Sequence, residues 1–179
     1  MSIDEEVRIY EPVVHGDERG HFYESYNQEA FDAWLGGTVR FVQDNHSMSR
    51  MGVLRGLHYQ LPPAAQAKLV RVTRGAVFDV AVDIRRSSPS FGEWRGFELS
   101  ESNRLQMWIP EGFAHGFLAL TETAEVQYKT SRPYSPGLDR AIAWNDPAIG
   151  IDWPLGDADP IMGARDATAP TLAAAETFE

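Results

Sequence analysis

The chain has 179 residues, with 26 acidic against 16 basic side chains, a formal net charge of -10 and no cysteine. This length accommodates one domain with a sizeable core, and the lack of cysteine excludes a disulfide framework and thiolate chemistry. The negative charge repels nucleic acid and anionic membranes, so we expect neither as a partner. Any anionic ligand must then be held by a local basic cluster.

The N-terminal part combines short strands with one helix. Residues 8–14 and 21–26 have strand composition, and residues 15–20 between them have the composition of a turn. A helix is predicted to begin at Asn27, a favourable N-cap, and to end at Gly36. The first six residues are rich in acids, unlike a signal peptide, and no later stretch is long and apolar enough to span a bilayer, so we expect a cytoplasmic protein.

Strands dominate from residue 39 onward. Residues 54–60 alternate, so His58 and Gln60 share one face of the predicted strand while Arg55 lies on the other. A histidine beside glycine on such a strand is either packed in the core or directed into a cavity. Arg55 and His58 can face one ligand only if the strand bends, a bulge intervenes or Arg55 serves a neighbouring subunit.

Two further strands are predicted at residues 68–72 and 76–85, joined as a tight hairpin at residues 73–75. Asp79 and Asp83 alternate with small apolar residues in the second strand, which indicates a face that lines a partly polar interior. Buried carboxylates need partners, and the candidates are Lys68 and Arg71.

The remaining strands are predicted at residues 94–99, 105–109, 117–120 and 125–130, and the chain turns irregular from residue 153. About eight or more short strands with frequent turns, one helix and no alternation of strands with helices indicate an all-β sandwich or barrel.

A histidine motif points to one all-β family. Residues 109–117 contain Pro-x-Gly-x-x-His-Gly, which resembles the second motif of the cupins, small double-stranded jelly rolls that often bind a metal through histidines. Their first motif would require a histidine where this chain has Gln60. Because a metal site needs several strong nitrogen or carboxylate ligands, we expect the barrel without the metal.

Eight blocks of the sequence together resemble the dTDP-4-dehydrorhamnose 3,5-epimerase family. They occur in order at residues 16–20, 41–47, 53–58, 66–70, 79–85, 108–117, 128–130 and 144–147. The resemblance implies a cupin-like jelly roll with one short N-terminal helix, a body at about residues 8–152, and a tail at 153–179 that packs back towards the active site. It also implies a cofactor-independent isomerase that works as a homodimer with an exchanged N-terminal strand.

By the same resemblance, the enzyme converts dTDP-4-dehydro-6-deoxy-D-glucose to dTDP-4-dehydro-L-rhamnose. His58 is then the base, Tyr128 the acid, Asp166 the partner of the histidine, and Lys68 the cation near the sugar ketone. Substrate-binding positions match Arg19, Glu24, Gln43, Asp44, Asn45, Arg55, Lys68, His115, Asp139 and Arg165.

The chemistry of the reaction explains these residue types. Carbons C3 and C5 of the sugar both flank the C4 ketone, so removal of either proton gives an enolate that a compact ammonium group such as Lys68 can stabilise. A histidine oriented by a carboxylate suits the base, and a tyrosine on the other face of the ring can return the proton. Arginine forks suit the diphosphate.

Simpler alternatives remain for each residue and for the whole chain. Tyr128 is otherwise an ordinary strand aromatic, Lys68 a charge at a strand edge, Asp166 a helix cap and His115 a packed histidine. The alternative functions are a single-position epimerase on another dTDP-4-keto sugar and a ligand-binding cupin without this chemistry.

Overall fold

The computed structural model describes residues 2–179, which form twelve strands and three helices. In chain order the elements are α1 (Ile3–Glu6), β1 (Arg8–Tyr10), β2 (Val14–Asp17), β3 (Gly20–Tyr23), α2 (Gln28–Leu35), β4 (Gln43–Arg50), β5 (Leu54–Gln60), β6 (Lys68–Arg74), β7 (Ala76–Asp83), β8 (Trp94–Ser100), β9 (Gln106–Ile109), β10 (Phe113–Ala119), β11 (Thr123–Thr130), β12 (Asp139–Ala141) and α3 (Ala164–Ala167).

Two five-stranded antiparallel sheets face each other, which confirms the predicted all-β jelly roll. The first sheet has the strand order β1-β9-β6-β11-β4 and the second has the order β12-β5-β10-β7-β8. The apolar core between them combines Val70 and Val126 of the first sheet with Val77, Ala81 and Phe117 of the second. This packing follows from the alternation of side chains along each strand.

The outer face of each sheet is covered by a different part of the chain. On the second sheet, Val80 and Val82 pack against Trp153 and Leu172 of the C-terminal tail. On the first sheet, the buried ring of Phe31 from α2 packs near Trp108. Both faces of β7 are therefore buried, which explains its nearly continuous run of apolar residues.

Helix α2 confirms the predicted helix and its caps. The side chain of Asn27 accepts a hydrogen bond from the amide of Ala30, and Gly36 ends the helix in the left-handed region, with φ of 76°. The four-residue helices α1 and α3 were not predicted. Among residues 2–179, none of the helices is long and apolar enough to cross a membrane.

The predicted hairpin at residues 73–75 is wrong. Strands β6 and β7 follow each other in the chain but belong to different sheets, so the turn at Gly75 carries the chain from one sheet to the other. Gly75 has φ of 71°, and a Cβ there would lie 2.1 Å from the carbonyl oxygen of Thr123. The turn residues were identified correctly, but they specify a reversal of direction and not the pairing of the strands that they join.

The predicted turn at residues 15–20 is also too long, because β2 and β3 pair over most of it. These two strands form a separate two-stranded sheet in which Asp17 pairs with Gly20. Large apolar side chains are exposed on the hairpin and just before it, with Phe22 69% and Val13 73% exposed. At the far side of the first sheet, the eight-residue strand β4 pairs with β11, and its other edge is free within the part of the chain that the structure describes.

Candidate active site

A cleft of about 240 Å³ opens between the two sheets, and both sheets contribute its walls. The first sheet provides side chains from β4, β6 and β11, and the second provides side chains from β5, β10 and β12. Most of the polar residues expected in the site line this cleft: Gln43, Asn45, Arg55, His58, Lys68, His115, Tyr128 and Asp139.

A bulge in β5 brings Arg55 and His58 to the same cleft. His58 lies opposite His115 and Arg55 lies opposite Phe117, so three steps along β5 correspond to two steps along β10. Gly56 within the bulge has φ of 125°, and a Cβ there would lie 2.5 Å from the Cα atom of Gly116. The bulge therefore resolves the conflict that strict alternation created, and it needs a glycine at its centre.

His58 is held by a carboxylate from the C-terminal tail. Asp166 of α3 places Oδ1 2.7 Å from Nε2 of His58, and its Oδ2 accepts a hydrogen bond of 3.1 Å from the amide of Gly56. Burial raises the pKa of Asp166, but the hydrogen bonds from His58 and Gly56 outweigh burial and leave that pKa below its ordinary value. An ionised carboxylate only accepts, so Nε2 of His58 carries a proton and Nδ1 is free to act as a base.

Lys68 forms the floor of the cleft. Its Nζ atom donates to the carbonyl oxygen of His58 at 3.3 Å and lies 3.5 Å from Nδ1 of His115. Burial lowers the pKa of Lys68 to about 8, against the opposing charges of Asp79 and Asp139. At neutral pH the side chain is therefore still an ammonium group, although it is buried.

Tyr128 stands on the opposite wall from His58. It projects from β11 of the first sheet, whereas His58 projects from β5 of the second. Burial raises the pKa of the Tyr128 hydroxyl, and the negative charge of Asp139 raises it further. Tyr128 is therefore a neutral phenol at physiological pH and can donate a proton.

The rim of the cleft is closed by a cluster around Asp139. Its Oδ2 atom accepts from Arg165 Nη1 at 2.6 Å and from the Tyr134 hydroxyl at 3.1 Å. Helix α3 thus contributes two neighbouring residues to the site, Arg165 at the rim and Asp166 behind His58. One short helix fixes both the basic side chain and the carboxylate.

Gln60 has a structural position that the sequence did not reveal. Its amide nitrogen donates to the carbonyl oxygens of Ala64 at 2.7 Å and Pro133 at 3.3 Å, and its oxygen accepts from the amide of Ser135 at 2.7 Å. Gln60 therefore anchors the loop that carries Tyr134, whose hydroxyl contacts Asp139 at the rim. Among residues 2–179, no group of three or more His, Cys, Asp or Glu side chains is arranged to hold a metal ion.

Three of the predicted substrate-binding residues lie away from this cleft. Arg19 sits on the β2–β3 hairpin with 86% of its side chain exposed and pairs with Asp17. Glu24 accepts from the side chain of Asn27 at 3.1 Å. Asp44 is 74% exposed and pairs with Lys129 on the outer face of the first sheet. Alternation along β4 explains this last case, because Asp44 lies between two residues that do line the cleft.

The interior acid Asp79 has an unexpected partner. Its Oδ1 atom lies 2.9 Å from Nε2 of His115, so that the histidine stands between this carboxylate and Lys68.

The other acid and the other candidate cation also have partners. Asp83 pairs with Arg85 at 2.7 Å, and Arg71 donates to Gln127. The expected need for partners is met, but neither acid pairs directly with Lys68 or Arg71. The alternation of acids with small apolar residues was the feature that could have placed Asp79 behind the cleft.

Comparisons with known proteins agree over nearly the whole chain. A family model described as dTDP-4-dehydrorhamnose 3,5-epimerase matches residues 2–174. The enzyme of that name from Salmonella typhimurium is 58% identical over 167 residues, covering 93% of this chain and 91% of the relative. That from Pseudomonas aeruginosa is 57% identical over 173 residues, covering 97% and 94%. A solved 3,5-epimerase from Legionella pneumophila, in complex with dTDP-4-keto-L-rhamnose, superposes with a TM-score of 0.93 at 50% identity and covers 98% of this chain and 92% of its own.

Proposed function

The chain belongs to the dTDP-4-dehydrorhamnose 3,5-epimerase family and is an isomerase, and we propose that the cleft described above carries out the epimerisation. The substrate would be dTDP-4-dehydro-6-deoxy-D-glucose and the product dTDP-4-dehydro-L-rhamnose. The observation that carries this proposal is the placement of His58 and Tyr128 on opposite walls, with the ammonium group of Lys68 at the floor.

Each inversion needs a base, a cation and an acid. Nδ1 of His58 removes the proton from C3 or C5, and the resulting imidazolium is balanced by the carboxylate of Asp166. The electron pair of the broken C–H bond moves onto O4 as an enolate, which Lys68 stabilises by a charge-assisted hydrogen bond. Tyr128 then donates its proton to the same carbon from the other face, and the enolate collapses to the ketone. Exchange of protons with solvent restores both side chains.

The protons and electron pairs of these steps are all accounted for by the sugar, the side chains and solvent. No electron leaves the sugar and the ketone is regenerated, so neither an oxidant nor a metal is required by the chemistry. The same base and acid serve C3 and C5 if the sugar ring turns between the two steps, because both carbons are activated by the same carbonyl.

Arg55 and Arg165 are the arginines that lie at the cleft and its rim within one chain. A diphosphate carries two negative charges or more, and the protein as a whole has a net charge of -10. We infer that a further cation is needed, and Arg19 is the residue that the resemblance suggests.

A dimer would supply that residue. Phe22 on the β2–β3 hairpin and Val13 just before it are exposed, and within residues 2–179 strand β4 has a free edge beside the cleft that Gln43 and Asn45 line. We propose that the hairpin of one protomer adds to the β4 edge of its partner, because paired edges and covered apolar side chains are both favourable. Alternate side chains of the added strand would face the partner's cleft.

A cytoplasmic location and the absence of a nucleic-acid partner remain proposals from the sequence.

The test of the proposed function is proton exchange in heavy water. The protein is incubated with dTDP-4-dehydro-6-deoxy-D-glucose without added metal, and deuterium at C3 and C5 is followed by NMR. We expect incorporation at both carbons and formation of the L-sugar. Incorporation at one carbon would identify a single-position epimerase, and incorporation at neither would contradict the proposal. Protein carrying His58→Ala, prepared in the same way, controls for exchange by contaminants.

A further inference from the structure

Asp79 is a fully buried carboxylate directly behind the cleft. It lies on β7 with 0% exposure, and among residues 2–179 the only hydrogen-bond partner of its side chain is Nε2 of His115 at 2.9 Å. Its second oxygen, Oδ2, is buried without a hydrogen-bond partner. Such an arrangement is costly, because a buried charge normally requires several donors or a direct ion pair.

The other buried acid of the same strand shows the usual solution. Asp83 is also 0% exposed, but it accepts hydrogen bonds from Arg85 at 2.7 Å, Ser88 at 2.5 Å and Ser90 at 2.8 Å. Its charge is therefore compensated locally, away from the cleft. No arginine or lysine of residues 2–179 forms an ion pair with Asp79, so a cation beyond His115 has to compensate its charge.

That cation is Lys68, on the far side of the imidazole ring. Its Nζ atom lies 3.5 Å from Nδ1 of His115, while Nε2 of the same ring bonds to Asp79. A carboxylate only accepts hydrogen bonds, so Nε2 carries the ring proton. Burial lowers the pKa of His115, which keeps the ring neutral and leaves Nδ1 as an acceptor that faces the ammonium group.

We propose that Asp79 is a positioning residue which, by fixing the tautomer of His115, holds the ammonium group of Lys68 in place and aims it into the cleft. One N–H of Lys68 then points to the carbonyl oxygen of His58, a second to Nδ1 of His115, and the third is free for O4 of the sugar. This inference rests on the proposed function, in which Lys68 meets the enolate.

The charge of Asp79 also helps to keep Lys68 protonated. The titratable groups that face Lys68 are Asp79 on β7, His115 on β10, His58 on β5, Tyr128 on β11 and Asp139 on β12. Of the two acids among them, Asp139 is already paired with Arg165. Both acids raise the pKa of Lys68, and the contribution of Asp79 is the larger of the two.

The first experiment compares pH profiles of kcat for the wild-type protein and for Asp79→Asn between pH 6 and 10. Loss of the negative charge favours the neutral form of Lys68. We therefore expect the alkaline limb of the kcat profile to move to lower pH by about one unit, so that kcat at a fixed pH on that limb falls about tenfold. At the acid end of the range kcat should recover towards wild type, with KM little changed.

Asp83→Asn is the matched control, because it changes an equally buried acid on the same strand that does not contact the cleft. Its pH profile should coincide with that of the wild type. An unmoved alkaline limb in Asp79→Asn, or an equal shift in both variants, would overturn the inference. A wild-type protein without epimerase activity at any pH would instead overturn the proposed function.

A second measurement does not depend on the folding of a variant. In wild-type protein labelled with nitrogen-15 histidine, the His115 ring should show a protonated Nε2 and an unprotonated Nδ1 across the active pH range. A protonated Nδ1 would contradict the inference, because the ring could not then accept from Lys68.

Discussion

The floor of the cleft and the β2–β3 hairpin both carry residues assigned to the reaction, but they are held in different ways. His58 and Lys68 lie on strands paired on both sides and contact side chains or carbonyls from other elements. Within residues 2–179, the side chain of Arg19 pairs with Asp17, two residues away, on a sheet of two strands. Proton transfer needs positions fixed within fractions of an ångström, and the barrel provides them. Arg19, the further cation proposed for the diphosphate, lies on an element that pairs with no other strand of residues 2–179.

The most severe change in the cleft is His58→Ala. Removal of the base should lower turnover by about 10⁴-fold, the upper range for general acid–base catalysis, while the melting temperature changes little because the side chain borders the cleft. Turnover and thermal unfolding measure the two effects. His46→Ala, which removes a histidine from the exposed face of β4, is the control and should remain active. An active His58→Ala enzyme would remove His58 from the mechanism.

Tyr128→Phe removes the acid and keeps the base. We expect inversion to fall by about 10²-fold or more, with some exchange of the C5 proton retained, because His58 can still remove and return a proton on its own face. NMR in heavy water separates exchange from inversion. Tyr10→Phe, in the aromatic cluster beneath α2, should behave as wild type. Unchanged epimerisation in Tyr128→Phe would show that another group supplies the proton.

Asp166→Asn tests the support of the base. The variant should lose about 10- to 100-fold in kcat with KM nearly unchanged, because the amide no longer fixes the tautomer of His58 or balances the imidazolium. Steady-state kinetics distinguish the two parameters. Asp159→Asn, at an exposed position of the same tail, is the control. An effect confined to KM would contradict the proposed pairing.

Arg19→Ala should have the smallest effect and should act on binding. We expect KM to rise about tenfold, as for loss of one charged hydrogen bond, with kcat and stability nearly unchanged because the side chain is exposed. Co-expression of Arg19→Ala with His58→Ala sharpens the comparison. If the hairpin serves the partner, mixed dimers contain one intact site, and a component with the wild-type KM appears beside the raised KM of the Arg19→Ala homodimer. If every active site keeps the raised KM, Arg19 does not act across the dimer.

Much of the cleft was predictable because the resemblance covers nearly the whole chain. It assigned His58, Lys68, His115 and Tyr128 to one site although they lie on four different strands, and all four line the cleft. Position along the strand also matters for Asp44, which alternation turns away from the cleft although both of its neighbours line it.

Features that depend on distant parts of the chain were harder to predict. The bulge at Gly56 depends on the close approach of Gly116, and the false hairpin at Gly75 arose because a turn does not determine which strands pair. Asp166 lies 108 residues from His58, so only the resemblance suggested their contact. The buried role of Asp79 required the position of His115.

The position of Asp166 in the chain has a consequence for the protein during its synthesis. All twelve strands are complete at Ala141, but Asp166, which pairs with His58, is on α3. A growing polypeptide therefore contains every strand before it contains the carboxylate that pairs with the histidine of the cleft. Under the proposed mechanism, full activity begins only after residue 166 has left the ribosome, and a translation product that stops soon after β12 would lack the full catalytic rate.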